Sequence, residues 1–284
     1  MDCFEACGLL ERIRGWLDGR QAKAPASWRS LQPARSPDCA HANRSSRLSI
    51  YAGLDPQKTV GWICVLSFVF CLAAIYAILA AVEFDASIGY LPVEAIKVAD
   101  AKLVFAWGIF DFLGYYMLRI PIIVFLWRWF RSENPVLVDF AGCCGLLFVV
   151  LSVTATSILT GATTGILAVY PKADPSLQLG LEAAWEASVA AVRQGLWQFS
   201  MLPWLIWTGV MGSLLATREV WLGRGLQSIS VAAAISAIDP VFGAEGAANL
   251  RFVSDYQVHF SSVWVLWAGI VLLRRPSGLR DAGA

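Results

Sequence analysis

In a chain of 284 residues, 57% hydrophobic and only 15% charged side chains exclude an ordinary soluble globular protein, whose fractions sit near ~45–50% and ~25%. The net charge of +1 gives no field to attract nucleic acid, so none is expected as a partner. Six continuously apolar runs exclude an outer-membrane barrel, whose strands alternate apolar and polar residues, and predict an all-α polytopic membrane bundle.

The first residues stand apart from the runs. Phe4, Leu9, Leu10, Ile13, Trp16 and Leu17 recur at helical spacing among Glu5, Glu11, Arg12, Arg14 and Asp18. Residues 1–19 therefore read as an amphipathic helix lying in the membrane interface, ended by Gly19. Residues 20–57 are rich in Pro, Ser, Ala and Arg and read as a flexible cytoplasmic linker. No short apolar core with a small-residue cleavage site follows the basic flank, which argues against a secretory signal. Cys3 and Cys7 read either as exposed reduced thiols or as acylation sites.

Residues 58–275 hold the six runs, and 276–284 form a short tail. A hydrocarbon layer roughly 30 Å thick needs about 20 apolar helical residues, and the runs cover Thr59–Val82, Leu103–Leu126, Phe140–Tyr170, Gln194–Thr217, Gly225–Phe242 and Tyr256–Leu273. With the N-terminus cytoplasmic, 16 of the 22 Lys and Arg fall in cytoplasmic segments, five fall on the other side, and Arg119 lies within a run. That bias predicts six spans with both termini cytoplasmic.

The second run carries ionisable chemistry. Asp111, Tyr115 and Arg119 are four apart, and each step of four leaves a helix only about 40° out of line, so the three form one polar stripe. Such residues face protein or water and not lipid. The stripe is read either as a substrate, proton or ion site, or as a structural ion pair holding the bundle together. Pro121 removes a donor to the Met117 carbonyl and predicts a kink. The third run, SVTATSILTGATTG, places Ser152, Thr156, Thr160, Thr163 and Thr164 roughly on one face with Gly161 and Gly165 in G-x-x-x-G spacing. Small residues let helices approach closely, so the expectation is central packing, with a hydroxyl-lined pathway as the alternative.

Acidic residues gather on the side opposite the basic turns. Glu182 with Glu186 and Asp255 with His259 have i, i+4 spacing, the elementary geometry of an acid/base or metal pair. A short interfacial helix from Ser176 to Val192 in solvated loops is the ordinary account. Asp239 sits before Pro240, which breaks the fifth run. Asp111, Glu186, Asp239 and His259 are accordingly the candidate acid/base residues. No metal site is expected, because the seven cysteines are scattered without ligand spacing. No cofactor is expected either: the two histidines, His41 and His259, cannot provide a bis-histidine haem from two spans. Nucleophile-elbow, zinc-helix, P-loop and dinucleotide motifs are all missing.

Asp111, the basic turn WRWFRSENP at 127–135, the small-residue third run and the basic hairpin LLATREVWLGRG at 214–225 together resemble small six-helix bacterial membrane proteins grouped in families of unknown function. The resemblance spans about 59–273 and implies a topology without assigning catalytic residues. Three functions follow as expectations: a non-catalytic accessory or assembly subunit with a membrane-protein partner, a small-molecule or ion carrier using Asp111 and Arg119, or a membrane-embedded enzyme acting on a hydrophobic or lipid substrate. A water-accessible cavity reaching Asp111 favours the carrier, a closed pocket with convergent carboxylates on the outer side favours the enzyme, and a dry bundle with an exposed apolar groove favours the subunit.

Overall fold

A computed structural model describes residues 55–85, 91–238 and 243–275, the side chains of 243–252, 254 and 255 excepted. The chain divides into two units, Met1–Gly53 and Leu54–Ala284, and the described residues all belong to the second. The expected interfacial helix, most of the linker, Asp239 with Pro240, and the tail lie outside the described residues.

The described residues are predominantly helical, with no strand among them. The helices are α1 (Pro56–Ala81), α2 (Ala101–Asp111), α3 (Ile120–Phe130), α4 (Pro135–Val169), α5 (Pro175–Ala190), α6 (Gln198–Ala216), α7 (Val220–Ile238) and α8 (Gly243–Arg274). A 3-10 turn, Val93–Lys97, precedes α2. A π-helical segment, Phe112–Tyr116, and a 3-10 turn, Met117–Arg119, join α2 to α3 into one helical stretch. A second π segment, Ala191–Trp197, joins α5 to α6 in the same way.

Each start has a local cause. Asp55, Asp100, Asn134 and Asp174 cap the first free amides of α1, α2, α4 and α5 with their side-chain oxygens. After three of these caps comes a proline, whose fixed φ suits the first helical position and whose missing N–H would have had no partner there. Two carboxylates of the acidic side are thereby explained as caps. At Asp174 the Ser176 hydroxyl, together with the amides of Leu177 and Ser176, holds the carboxyl below its ordinary range.

Five stretches among the described residues are long and apolar enough to cross a membrane: Pro56–Ala81, Ala101–Phe130, Pro135–Lys172, Pro175–Ala216 and Tyr256–Arg274. The protein is thus a helical, multi-pass type of chain. Residues 225–238 of the fifth run lie in α7, whose Arg224 and Gln227 lower its apolarity. At 35 residues α4 is about 52 Å long, well beyond a hydrocarbon layer of roughly 30 Å. The expected short helix after Ser176 is not separate, because α5 continues through the π segment into α6.

Two apolar clusters hold the elements. The larger contains a run of stacked rings, Phe148 on Trp204 at 4.2 Å and Trp204 on Trp207 at 4.9 Å, that ties α4 to α6. The smaller centres on Trp185, whose Nε1 donates to the carbonyls of Leu91 at 3.0 Å and Pro92 at 3.2 Å and so fastens α5 to the segment before α2. The most extensive helix pairing is the α6–α7 hairpin, turned by Thr217–Glu219.

The basic turns gather at one end of the bundle. Arg131 forks onto Asp139, Arg218 pairs with Glu133 at 2.6 Å, and Arg275 pairs with Glu219. Arg218 and Arg275 also lie over the Trp129 ring, at 5.4 and 5.7 Å. These ion pairs are partly exposed, where each is worth only about 0–1 kcal/mol. Their effect is geometric, linking the α3–α4 turn, the α6–α7 turn and the end of α8.

Candidate functional site

The opposite half of the bundle contains a cavity of about 470 Å³, within the roughly 300–1,000 Å³ typical of small-molecule sites. Its walls come from the second half of α1, the α2–α3 stretch, α4, the α5–α6 stretch, the end of α7 and the middle of α8. Asp111, Tyr115 and Arg119 all line it, so the predicted stripe faces protein and a cavity.

The backbone there is not a plain α-helix. The Met117 amide reaches back to the carbonyls of Leu113 and Phe112, the wider turn that defines the π segment. Within it the Gly114 carbonyl accepts from Ser67 Oγ at 2.6 Å. A side chain at Gly114 would push its Cβ to 2.7 Å from the Cys71 amide nitrogen and 2.9 Å from the Phe70 carbonyl carbon, so glycine is what lets α1 lie against this segment. The disruption expected at Pro121 is met locally: the Ile120 N–H donates to the Met117 carbonyl, tightening the backbone into a 3-10 turn. Both π segments contribute to the cavity wall, through Tyr115 and Tyr116 in one and Arg193 and Trp197 in the other.

Arg119 is 2% exposed. Its Nη1 donates to Ser261 Oγ at 3.0 Å and its Nη2 to Ser262 Oγ at 3.1 Å. The guanidinium lies 5.1 Å from the Tyr115 ring and 5.9 Å from the Trp204 ring, and its Nε finds no acceptor. Asp111 faces another helix, accepting from Thr156 Oγ1 at 2.8 Å. The two charges make no ion pair with each other. Arg119 thus holds a buried positive charge on two neutral hydroxyls, with several buried polar atoms around the cavity, Tyr115 Oη, Ser152 Oγ and Trp197 Nε1, likewise lacking a partner.

His259 reaches the same cavity, whereas Glu186 is exposed on α5 and does not line it. Asp239 and the Asp255 side chain lie outside the described residues. Glu182, the expected partner of Glu186, accepts from Tyr170 Oη at 2.6 Å and so links α5 to the end of α4. Among the described residues no group of three His, Cys, Asp or Glu converges as a metal site.

The polar wall residues Tyr116, Arg193, Gln198, Ser236, Gln257 and Ser261 were not foreseen. Arg193 reads in sequence as a loop charge, and the others as isolated polar residues in apolar runs. The adjacent hydroxyls Ser261 and Ser262 in the sixth run were the available signal. On α4 the hydroxyl face is buried through Ser152, Thr156, Thr160 and Thr163. Gly161 and Gly165 face open space, and the close-packed glycines of this helix are Gly142 and Gly145, against Trp127 and Trp207. The G-x-x-x-G spacing therefore does not mark an internal helix contact.

The chain matches no protein-family model, and no curated protein or solved structure is significantly similar to it.

Proposed function

We propose that this protein is a six-span membrane protein with both termini cytoplasmic, and that it binds and carries a small molecule in its helical bundle. The cavity reaching both Asp111 and Arg119 carries this reading. A subunit that only packs against a partner needs no polar hollow among its helices. An enzyme of the expected kind needs convergent carboxylates, and Asp111 is the one carboxylate lining the cavity among the described residues. Intramembrane ionisable groups facing a cavity mark substrate or ion pathways. The topology half of the reading rests on the distribution of Lys and Arg and on the likeness to small six-helix bacterial membrane proteins. Reporter fusions after residues 133 and 221 are expected to read cytoplasmic and fusions after 90 and 180 non-cytoplasmic; an inverted result at either basic turn removes the six-span arrangement.

Water access separates the carrier from a dry bundle. A charged, membrane-impermeant maleimide reacts with a thiolate in water and not with one in lipid. In a chain whose seven native cysteines are replaced, Ile78→Cys lines the cavity and is expected to be modified in intact membranes. Val150→Cys, at a position 60% exposed on the outer surface of α4, is expected to stay unmodified because the bilayer covers it. Equal silence at both positions would favour the accessory-subunit reading.

A further inference from the structure

We infer that the ligand of this cavity is an anionic amphiphile, an apolar body ending in a carboxylate or phosphate group, and that Arg119 is the residue that receives its charge. The inference rests on the carrier reading and names its substrate class.

The argument begins with donors and acceptors. A guanidinium has five N–H donors and no acceptor. Arg119 directs two of them to Ser261 and Ser262, while its Nε–H has no acceptor. Those two hydroxyls already donate to the Val258 carbonyl, at 2.8 and 3.3 Å, and are neutral. A cation buried to 2% exposure with only neutral partners is costly unless a counter-charge arrives. Asp111 lines the same cavity but makes no contact ion pair with Arg119, and its Oδ2 is turned to Thr156.

The rest of the cavity describes the other end of the ligand. Ile75, Ile78, Leu79, Trp107, Phe148 and Met201 line it with apolar surface. A bare inorganic anion would leave that surface wet, and a wholly apolar ligand would leave Arg119 as it is. An amphiphile whose acid group sits at Arg119 satisfies both, and a guanidinium fork suits a carboxylate or a phosphate.

The test uses the full chain purified in a neutral detergent and reads the thermal unfolding midpoint against three probes of one chain length: octanoate, octylamine and 1-octanol. A ligand that binds only the folded state raises the midpoint with concentration. Octanoate is expected to raise it most. Phosphatidylglycerol and phosphatidylcholine, added to the same micelles, distinguish a lipid source of the acid group from a free acid. A rise with phosphatidylglycerol alone supports the inference with the membrane as the source, and a rise with octanoate alone supports it with a water-borne acid. Arg119→Gln is expected to shift half-saturation at least roughly tenfold, the loss of one charge-assisted hydrogen bond. Arg119→Lys, which keeps the charge and loses the fork, guards against failure of the first variant to fold, and should retain the order of acid over amine with weaker binding. Octylamine ranking above octanoate overturns the inference and points to Asp111, as does phosphatidylcholine matching phosphatidylglycerol with no effect of octanoate. Absence of any rise overturns the inference alone if Ile78→Cys is labelled, and the carrier reading with it if Ile78→Cys is silent.

Discussion

Gly114→Val is expected to destabilise the purified protein by about 3 kcal/mol or more, while Gly161→Ala leaves it unchanged or stabilises it by about 0.5–1 kcal/mol. Both glycines lie in the helical bundle, and a sequence pattern of small residues ranks Gly161 higher. Their surroundings are opposite. At Gly114 an added Cβ meets the backbone of Phe70 and Cys71, which cannot yield as a flexible side chain does, and the Ser67 hydrogen bond to the Gly114 carbonyl is pulled apart with it. At Gly161 an added Cβ meets nothing within 4 Å, so only the conformational gain of alanine over glycine is left. Thermal unfolding of the two variants in one detergent measures the contrast. Equal stability of the pair would mean that α1 does not lie against the π segment in the way described.

The second large effect concerns the two buried charges. Arg119→Met is expected to lower stability through two lost hydrogen bonds from a charged donor, about 1.5–3 kcal/mol each, a loss offset in part by relief of the buried unpaired cation, and Asp111→Leu through the lost acceptor for Thr156. The double variant is expected to be close to the sum of the singles, with a coupling below about 2 kcal/mol. A contact pair at 4 Å would couple by about 4 kcal/mol at an effective dielectric of 20. The side chains are not in contact, and the backbone between them, eight residues on, rises about 12 Å. A coupling near the contact value, measured by the double-mutant cycle, would restore the structural ion pair that the stripe alone allows. A double variant more stable than Arg119→Met by itself would do the same.

Much of the helical architecture could be read from the chain because its causes are local. The apolar runs mark the long helices, and Asp55-Pro56, Asn134-Pro135 and Asp174-Pro175 mark starts through capping and fixed φ. The same locality misled the reading of the acids. Asp100 and Asp174 look like members of an acidic face, yet each is used by the two amides that follow it. The stripe was legible from spacing, since Asp111, Tyr115 and Arg119 need only a shared face. What Arg119 meets was not. Ser261 and Ser262 are more than 140 positions away in sequence, and an ordinary pair of serines in an apolar run has no mark that distinguishes it. The π segments were equally silent, because FLGYY and AVRQGLW contain residues that an α-helix accommodates. Only the demand of packing, the Gly114 contact with α1 in the first case, selects the wider turn.

The π segment also decides where this chain can change length. A π turn holds one residue more than an α turn, so a single deletion within Phe112–Tyr116 can be taken up by relaxation to α-helix. Asp111 before it and Arg119 after it would then keep their bearings, and the loss falls on one of two adjacent tyrosines that both point inward. In α4 there is no such slack. One residue removed near its middle turns everything beyond by about 100°, carrying the buried Thr160 and Thr163 outward and the open Gly161 and Gly165 round the axis. Length variation is therefore tolerable at the wall that holds the charges and intolerable in the long helix that faces it.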